Sequence, residues 1–245
     1  MQLDIASSHR HFGQTVPRLA LTEPVLYYAC LAYASHVLFL KGKLDEYVHE
    51  QFQNKAIGLL IPLLSPHFTP AADKALLATT VILRMSEQFS ELADDAQHHL
   101  NGAYSLFATT GEKWSPLHVD IRGVAFWVYL RESIRVCFLN EQGCQFNLDS
   151  VDEEFSTTSG SEEVWTNHMS YLLARLCNAC WGDFDAEVKD SMRDRIQISM
   201  EEWRGRLPET FQPWCFNPAD YQPFPVMKLL SPWHGNRLDL SFQFE

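Results

Sequence analysis

Apolar residues recur every three to four positions along most of this chain, and this helical period constrains its fold more than any other feature. In residues 46–64, for example, Val48, Phe52, Ala56 and Leu60 lie four residues apart and would form one stripe on a helix. No segment shows the alternation of apolar and polar residues that several successive strands would require. Amphipathic helices bury their stripes by packing on one another, so the sequence predicts an all-α fold.

The periodic segments predict an irregular multi-helix bundle of about seven helices. Thr22 and Pro24 favour the start of the first helix, and Gly42 favours its end. This helix is apolar nearly all round, which predicts a position deep in the core. The predicted helices cover residues 22–41, 46–64, 69–89, 92–107, 115–140, 164–180 and 185–207.

Three segments lack the helical period. Residues 1–21 are predicted to be a loose N-terminal lead-in to a helical domain over 22–245. Residues 141–163 are rich in acidic residues and contain a run of Ser, Thr and Gly, which predicts a solvated, disordered acidic loop. The tail, 208–245, is rich in proline and therefore cannot form a continuous helix.

The charge balance argues against a nucleic-acid-binding protein. The chain contains 19 Lys and Arg residues against 31 Asp and Glu residues, and its net charge of -12 repels phosphate backbones. Five basic residues near the C-terminal end alternate with acidic ones, which is typical of a mixed, solvated helix face. They are Lys189, Arg193, Arg195, Arg204 and Arg206.

The cysteine usage and the N-terminus predict an intracellular protein. Cysteines are scattered from Cys30 to Cys215, whereas disulfide frameworks are typical of short, cysteine-dense secreted chains. No basic region followed by an apolar stretch follows Met1, so no signal peptide is expected. The best candidate for a membrane span, Val25 to Leu40, is shorter than the roughly 20 residues that a span needs. We therefore expect reduced thiols and no membrane association.

Two groups of residues have metal-ligating side chains. Cys177 and Cys180 form a C-x-x-C pair, which could be a redox pair or half of a zinc site. No second pair completes four ligands and the motif lies within a helical apolar stripe, so packing in the core is favoured. In the other group, each of two carboxylates lies four residues before an imidazole. For this spacing, ion pairs on a solvated helix face are favoured over metal ligation. The group comprises Asp94, Asp95, His98 and His99.

Signatures of catalysis are missing from the sequence. It contains no nucleophile elbow, no phosphate-binding loop and no dinucleotide-binding fingerprint. We therefore expect no enzyme activity, and neither a cofactor nor a metal ion in this chain.

Four stretches of the sequence resemble motifs of one family. HLNGAYSLF is similar to the family's H-L-x-G-A helix, and AFWVYLRESI is similar to its F-W-x-Y-L-R-x-x-I helix. WRGRLPETFQP is similar to W-x-x-x-L-P-x-x-F-x-P, and FP followed by SPWH resembles a later segment. Together these stretches, at 99–107, 125–134, 203–213 and 224–234, resemble the fungal-specific regulatory domain of zinc-cluster transcription factors.

The resemblance implies an all-α, nuclear domain that regulates transcription through protein contacts or a small effector, with a protein partner or self-association. The family contacts DNA through an N-terminal zinc cluster, and no compact basic run of six cysteines occurs here. The resemblance therefore implies a regulatory fragment that does not bind DNA by itself and that lacks the C-terminal part of the family. The residues leave one alternative open, a helical scaffold or adaptor that binds a protein partner outside transcription.

Overall fold

The computed structural model describes residues 2–4, 7–64, 74–90, 120–146, 148, 151, 160–217 and 226–228. Within these ranges most residues are helical, which confirms the predicted all-α, multi-helix fold. The α-helices are α1 (His11–Leu19), α2 (Pro24–Leu40), α3 (Glu46–Leu63), α4 (Lys74–Glu87), α5 (Ile121–Asn140), α6 (Glu162–Trp181) and α7 (Ala186–Gly205). Two short antiparallel strands follow, β1 (Cys215–Asn217) and β2 (Val226–Lys228).

The helices pack in the spatial order α3, α2, α4, α5, α6 and α7, and α1 contacts α2, α4 and α5. The core lies around α4 and α5. Every residue of α4 from Ala75 to Ser86 is buried, and so is nearly every residue of α5 from Ile121 to Cys137. Small side chains such as those of Ala75 and Ala78 allow neighbouring helices to approach α4 closely.

α2 lies at the side of this core, so the prediction that it is deeply buried all round was wrong. Leu26 and Ala29 are fully buried, whereas Tyr27, Leu38 and Leu40 on the same helix are exposed. α3 and α4 pack against α2, which accounts for its buried side. An apolar composition favours burial but does not fix how many neighbours a helix has.

Local signals define several helix ends. Pro24 lies in the first turn of α2, as predicted, but the residue that precedes the helix as N-cap is Glu23 and not Thr22. Gly42 follows the end of α2 with a φ of 65°, a left-handed conformation that glycine adopts without strain. The Asp120 carboxylate accepts hydrogen bonds from the backbone N–H groups of Arg122 and Gly123, both at 3.0 Å. α5 therefore begins directly after Asp120.

The N-terminal segment differs from the predicted loose lead-in, because residues 1–21 contain α1. Phe12 and Val16 of this helix are buried. The Asp4 carboxylate accepts hydrogen bonds from the backbone N–H groups of Phe12 at 2.8 Å and Gly13 at 2.7 Å. The bond to Phe12 satisfies an amide at the helix start, and the Gly13 amide also donates to the Arg10 carbonyl oxygen at 3.0 Å.

We expect Asp4→Ala to lower the free energy of unfolding by about 1–2 kcal/mol, because the Phe12 amide loses its acceptor and the Gly13 amide keeps only its bond to the Arg10 carbonyl oxygen. Urea unfolding of the 245-residue chain measures this difference. Asp194→Ala, at an exposed position on α7, is the matched control and is expected to change stability little. Equal effects of the two substitutions would contradict a capping role for Asp4.

The predicted acidic loop, 141–163, is described only in part, and residues 152–159 lie outside the described ranges. Its described part differs from a solvated loop at both ends. Phe146 packs edge-on against Phe126, with ring centroids 5.6 Å apart, and α6 already begins at Glu162. The buried apolar residues of this segment are Phe146, Leu148 and Val151.

Other predicted elements also fall on residues that the structure does not describe. The predicted helix 92–107 lies outside the described ranges, as do the starts of the predicted helices 69–89 and 115–140. The described part of the proline-rich tail, 208–245, contains a short 3-10 helix, Glu209–Phe211, and the two strands. It forms no continuous helix there, as its prolines predict.

Candidate functional site

A cluster of charged and polar side chains lies between the two helices at the centre of the core, α4 and α5. Arg84 is only 1% exposed and Glu132 only 8%. Ionisable side chains are rarely buried to this extent unless they are paired, so this cluster is the candidate site in the described part of the chain. The charged core cluster consists of Arg84, Glu87, Gln88, Glu132 and Arg135.

Glu132 lies at the centre of the charged core cluster. Its Oε2 accepts hydrogen bonds from Gln88 Nε2 at 2.7 Å and from Arg135 Nε at 3.2 Å. The same oxygen lies 3.9 Å from Arg84 Nε, and Arg84 Nη1 donates to Glu87 Oε2 at 2.9 Å. Carboxylates and guanidinium groups therefore alternate across the contact between α4 and α5.

Helical spacing brings these groups together. Arg84 and Glu87 are three residues apart on α4, and Glu132 and Arg135 are three residues apart on α5, so each pair lies on one helix face. A buried ionic network adds little net stability compared with apolar packing, but breaking it is costly. We infer that the cluster fixes how α4 and α5 align.

Tyr129 precedes Glu132 by one helical turn on α5, lies next to Thr80 and Arg84, and is fully buried. Burial raises the pKa of Tyr129 well above its ordinary value, and the Thr80 hydroxyl and the Arg84 charge oppose this shift only in part. The phenol therefore stays protonated at neutral pH and does not act as a base.

Arg131 extends the polar contacts from α5 to α6. Its Nη1 donates to Asn167 Oδ1 at 3.2 Å. Burial lowers the pKa of Arg131 to about 10, opposed by the charges of Glu163 and Glu132, so the side chain remains charged at neutral pH. Glu163 Oε2 also accepts hydrogen bonds from the backbone N–H of Ser8 at 3.2 Å and from its hydroxyl at 3.1 Å. The N-terminal segment is thereby linked to α6.

Three thiols form a second cluster between α5 and α6. Ser133 Oγ lies 3.4 Å from Cys144 Sγ and 4.0 Å from Cys137 Sγ. A hydrogen bond with Cys144 lowers the pKa of Cys137, but contact with Cys177 and burial outweigh it and raise that pKa to about 11. Contact with Cys137 and burial raise the pKa of Cys144 well above its usual range. Cys137 and Cys144 are therefore protonated and weakly reactive at neutral pH.

Both cysteines of the C-x-x-C pair lie on α6, where Cys177 is buried in the core as predicted, whereas Cys180 is exposed. Among the described residues, no group of three or more His, Cys, Asp and Glu side chains is placed to hold a metal ion. The Asp94–His99 group lies outside the described ranges, so the absence of a metal ion remains a prediction. None of the described helices is long and apolar enough to cross a membrane.

Sequence reasoning missed most of the charged core cluster. Arg84 follows nine consecutive apolar or threonine residues, Ala75 to Leu83, and a cation at the end of such a run was the available signal. The basic residues between 189 and 206 lie on or directly after α7, where Arg193 pairs with Asp190 at 3.2 Å. All five are at least partly exposed, as on the mixed helix face that the sequence predicts.

Comparison with known protein families identifies the chain. Residues 4–181 match the family described as the fungal specific transcription factor domain, a class of transcription factor domains and not a known class of enzymes. The matched range contains α1 to α6, the charged core cluster and the motif at 125–134, whereas the motif at 203–213 follows it. No curated protein and no solved structure matches the chain. Because the match covers well over half of its length, the chain belongs to the fungal specific transcription factor domain family.

Proposed function

We propose that this chain is the regulatory part of a fungal zinc-cluster-type transcription factor, and that it acts in the nucleus without contacting DNA itself. It works through protein contacts or a small effector. The observation that carries the proposal is the family match over residues 4–181, since membership of this family indicates a role in transcription.

The polar contacts of the core support a regulatory role. A regulatory domain must couple a contact at one place to the position of helices at another. The charged core cluster joins α4 to α5, Arg131 joins α5 to α6, and Glu163 joins α6 to the N-terminal segment. Directional bonds of this kind make the helix positions interdependent.

A tethering experiment tests the proposed role. We expect the 245-residue chain, fused to an unrelated DNA-binding module in a fungal reporter strain, to raise or lower transcription relative to the module alone. A fusion carrying the surface substitution Asp194→Ala is expected to behave like the unmodified chain. If the fusion accumulates in the nucleus and leaves transcription unchanged, the proposal fails and the scaffold alternative gains support.

The chain alone is expected to bind DNA only weakly and without sequence preference. The net charge of -12 repels phosphate, so dissociation constants in or above the non-specific range of about 10⁻⁶–10⁻⁴ M are expected at ~0.1 M salt. Titration of labelled duplexes measures this binding. Glu201→Lys/Glu202→Lys, which reverses two exposed charges on α7, should strengthen any such association. Nanomolar, sequence-dependent binding would contradict the proposal.

A further inference from the structure

Two buried histidines lie outside the charged core cluster, where α2, α3 and α4 approach one another. His36 of α2 is 3% exposed and His49 of α3 is 5% exposed. Their rings are stacked, with centroids 3.9 Å apart and planes inclined by 24°. At this separation, two positive charges would repel each other strongly in a site with little water.

Each ring is held by a bond to a neighbouring helix. His36 Nδ1 lies 3.0 Å from Ser86 Oγ of α4, and His49 Nδ1 lies 3.1 Å from the Ala32 carbonyl oxygen of α2. A carbonyl oxygen only accepts, so Nδ1 of His49 carries the proton and this bond fixes its tautomer. The pair therefore connects all three helices.

The surroundings of His36 favour its neutral form. The aromatic rings of Phe39 and Phe89 lie 6.3 Å and 5.7 Å from His36. Burial and the charge of His49 lower the pKa of His36, and the bond with Ser86 opposes this shift only in part. The packed helices carry further titratable or charged groups. They are Tyr27, Tyr28, Cys30, Tyr33 and Lys41 of α2 and its end, Glu46, Tyr47, Glu50 and Lys55 of α3, and Lys74, Arg84 and Glu87 of α4.

We propose that the His36–His49 pair is an acid-sensitive joint, which holds the α2–α3 hairpin against α4 while both rings are neutral and releases it when a ring binds a proton. A proton on either ring leaves a cation buried between stacked and edge-on aromatic neighbours. In the opened hairpin the rings are hydrated and bind protons with ordinary affinity. Opening therefore takes up protons, and acid favours it.

The direction of the pH effect follows from this linkage. The folded state binds fewer protons at His36 than the open state, so this contribution to stability is present above the ordinary histidine pKa of about 6.5. It is lost as the pH falls below that value. The opening equilibrium constant should rise up to about tenfold per pH unit for each proton taken up.

Amide hydrogen exchange of the 245-residue chain tests the proposal between about pH 7.5 and 5.5, a range that brackets the ordinary histidine pKa. The rates are corrected for the intrinsic pH dependence of exchange. We expect the amides of α3 to lose protection in acid while those of α5 keep theirs. In His36→Phe/His49→Phe, which retains two stacked rings, this loss should disappear. His9→Gln, at an exposed histidine, should leave it unchanged.

Equal acid-induced loss in the unmodified chain and in the double phenylalanine variant would overturn the proposal, as would full protection of α3 throughout. If the double variant does not fold, titration of the imidazole C–H resonances of the unmodified chain decides the question. If the His36 resonance titrates at the ordinary histidine pKa while the α3 amides stay protected, the proposal is contradicted. A resonance that titrates together with the loss of α3 protection supports it.

Discussion

Replacing Glu132 with glutamine is expected to lower the free energy of unfolding by about 3–5 kcal/mol, the usual cost of removing one partner from a buried ionic network. The amide keeps the shape of the side chain but removes the charge that lies 3.9 Å from Arg84 Nε and 3.2 Å from Arg135 Nε. Within the charged core cluster, Glu87 would then be the one carboxylate left for two guanidinium groups. Urea unfolding followed by tryptophan fluorescence measures the loss.

The matched control is Glu187→Gln at an exposed position of α7, which is expected to change stability by less than about 0.5 kcal/mol. Adding Arg84→Met to Glu132→Gln removes one of the two cations, so the double variant should lose less than the sum of the single losses. Equal stabilities of Glu132→Gln and Glu187→Gln would show that the cluster has no energetic role.

Trp203→Ala is expected to cost about 3–5 kcal/mol, because it removes the largest apolar side chain that α7 buries. Trp203 is 2% exposed, and its Nε1 donates to the Trp165 carbonyl oxygen at 2.9 Å. Its ring also lies edge-on to Phe211, with centroids 6.5 Å apart. The other buried residue of α7 is Ile196, so this helix depends on few anchors. Hydrogen exchange of the α7 amides should report its release from α6.

Trp214→Ala provides a control with the same change in side-chain volume. Trp214 is 66% exposed, and Lys228 Nζ lies 5.4 Å from the centroid of its ring. A contact of this kind at an exposed site contributes only about 0.5–1 kcal/mol. If Trp203→Ala and Trp214→Ala destabilise the chain equally, Trp203 does not anchor α7.

The helical period predicted most of the described helices, but it did not predict how much of each helix is buried. α2 is free of charged residues and yet exposes Leu38 and Leu40, whereas α5 contains Arg131 and Glu132 and lies in the core. Burial depends on the number of helices that pack around an element. That number is a property of the tertiary arrangement and not of one segment.

The site was harder to predict than the fold because its contacts join distant parts of the chain. Gln88 and Glu132 are 44 residues apart, and neither the spacing nor the composition of either helix indicates the other. The start of α1 was missed for a similar reason, since its cap is the side chain of Asp4, eight residues before Phe12. In contrast, Pro24 and Gly42 each act only on the nearby backbone. α2 starts at Pro24 and ends close to Gly42, so the local sequence was sufficient to predict both ends approximately.

The bond between Ser8 and Glu163 spans 155 residues, and this has a consequence for the order of events during synthesis. At the usual elongation rates of about 5–20 residues per second, Ser8 leaves the ribosome roughly 10–30 s before Glu163 does. During this interval Ser8 lacks its partner on α6, although α2 and α4, which contact α1, have already been synthesised. The contact between Ser8 and α6 therefore forms only after the residues of α6 have been synthesised.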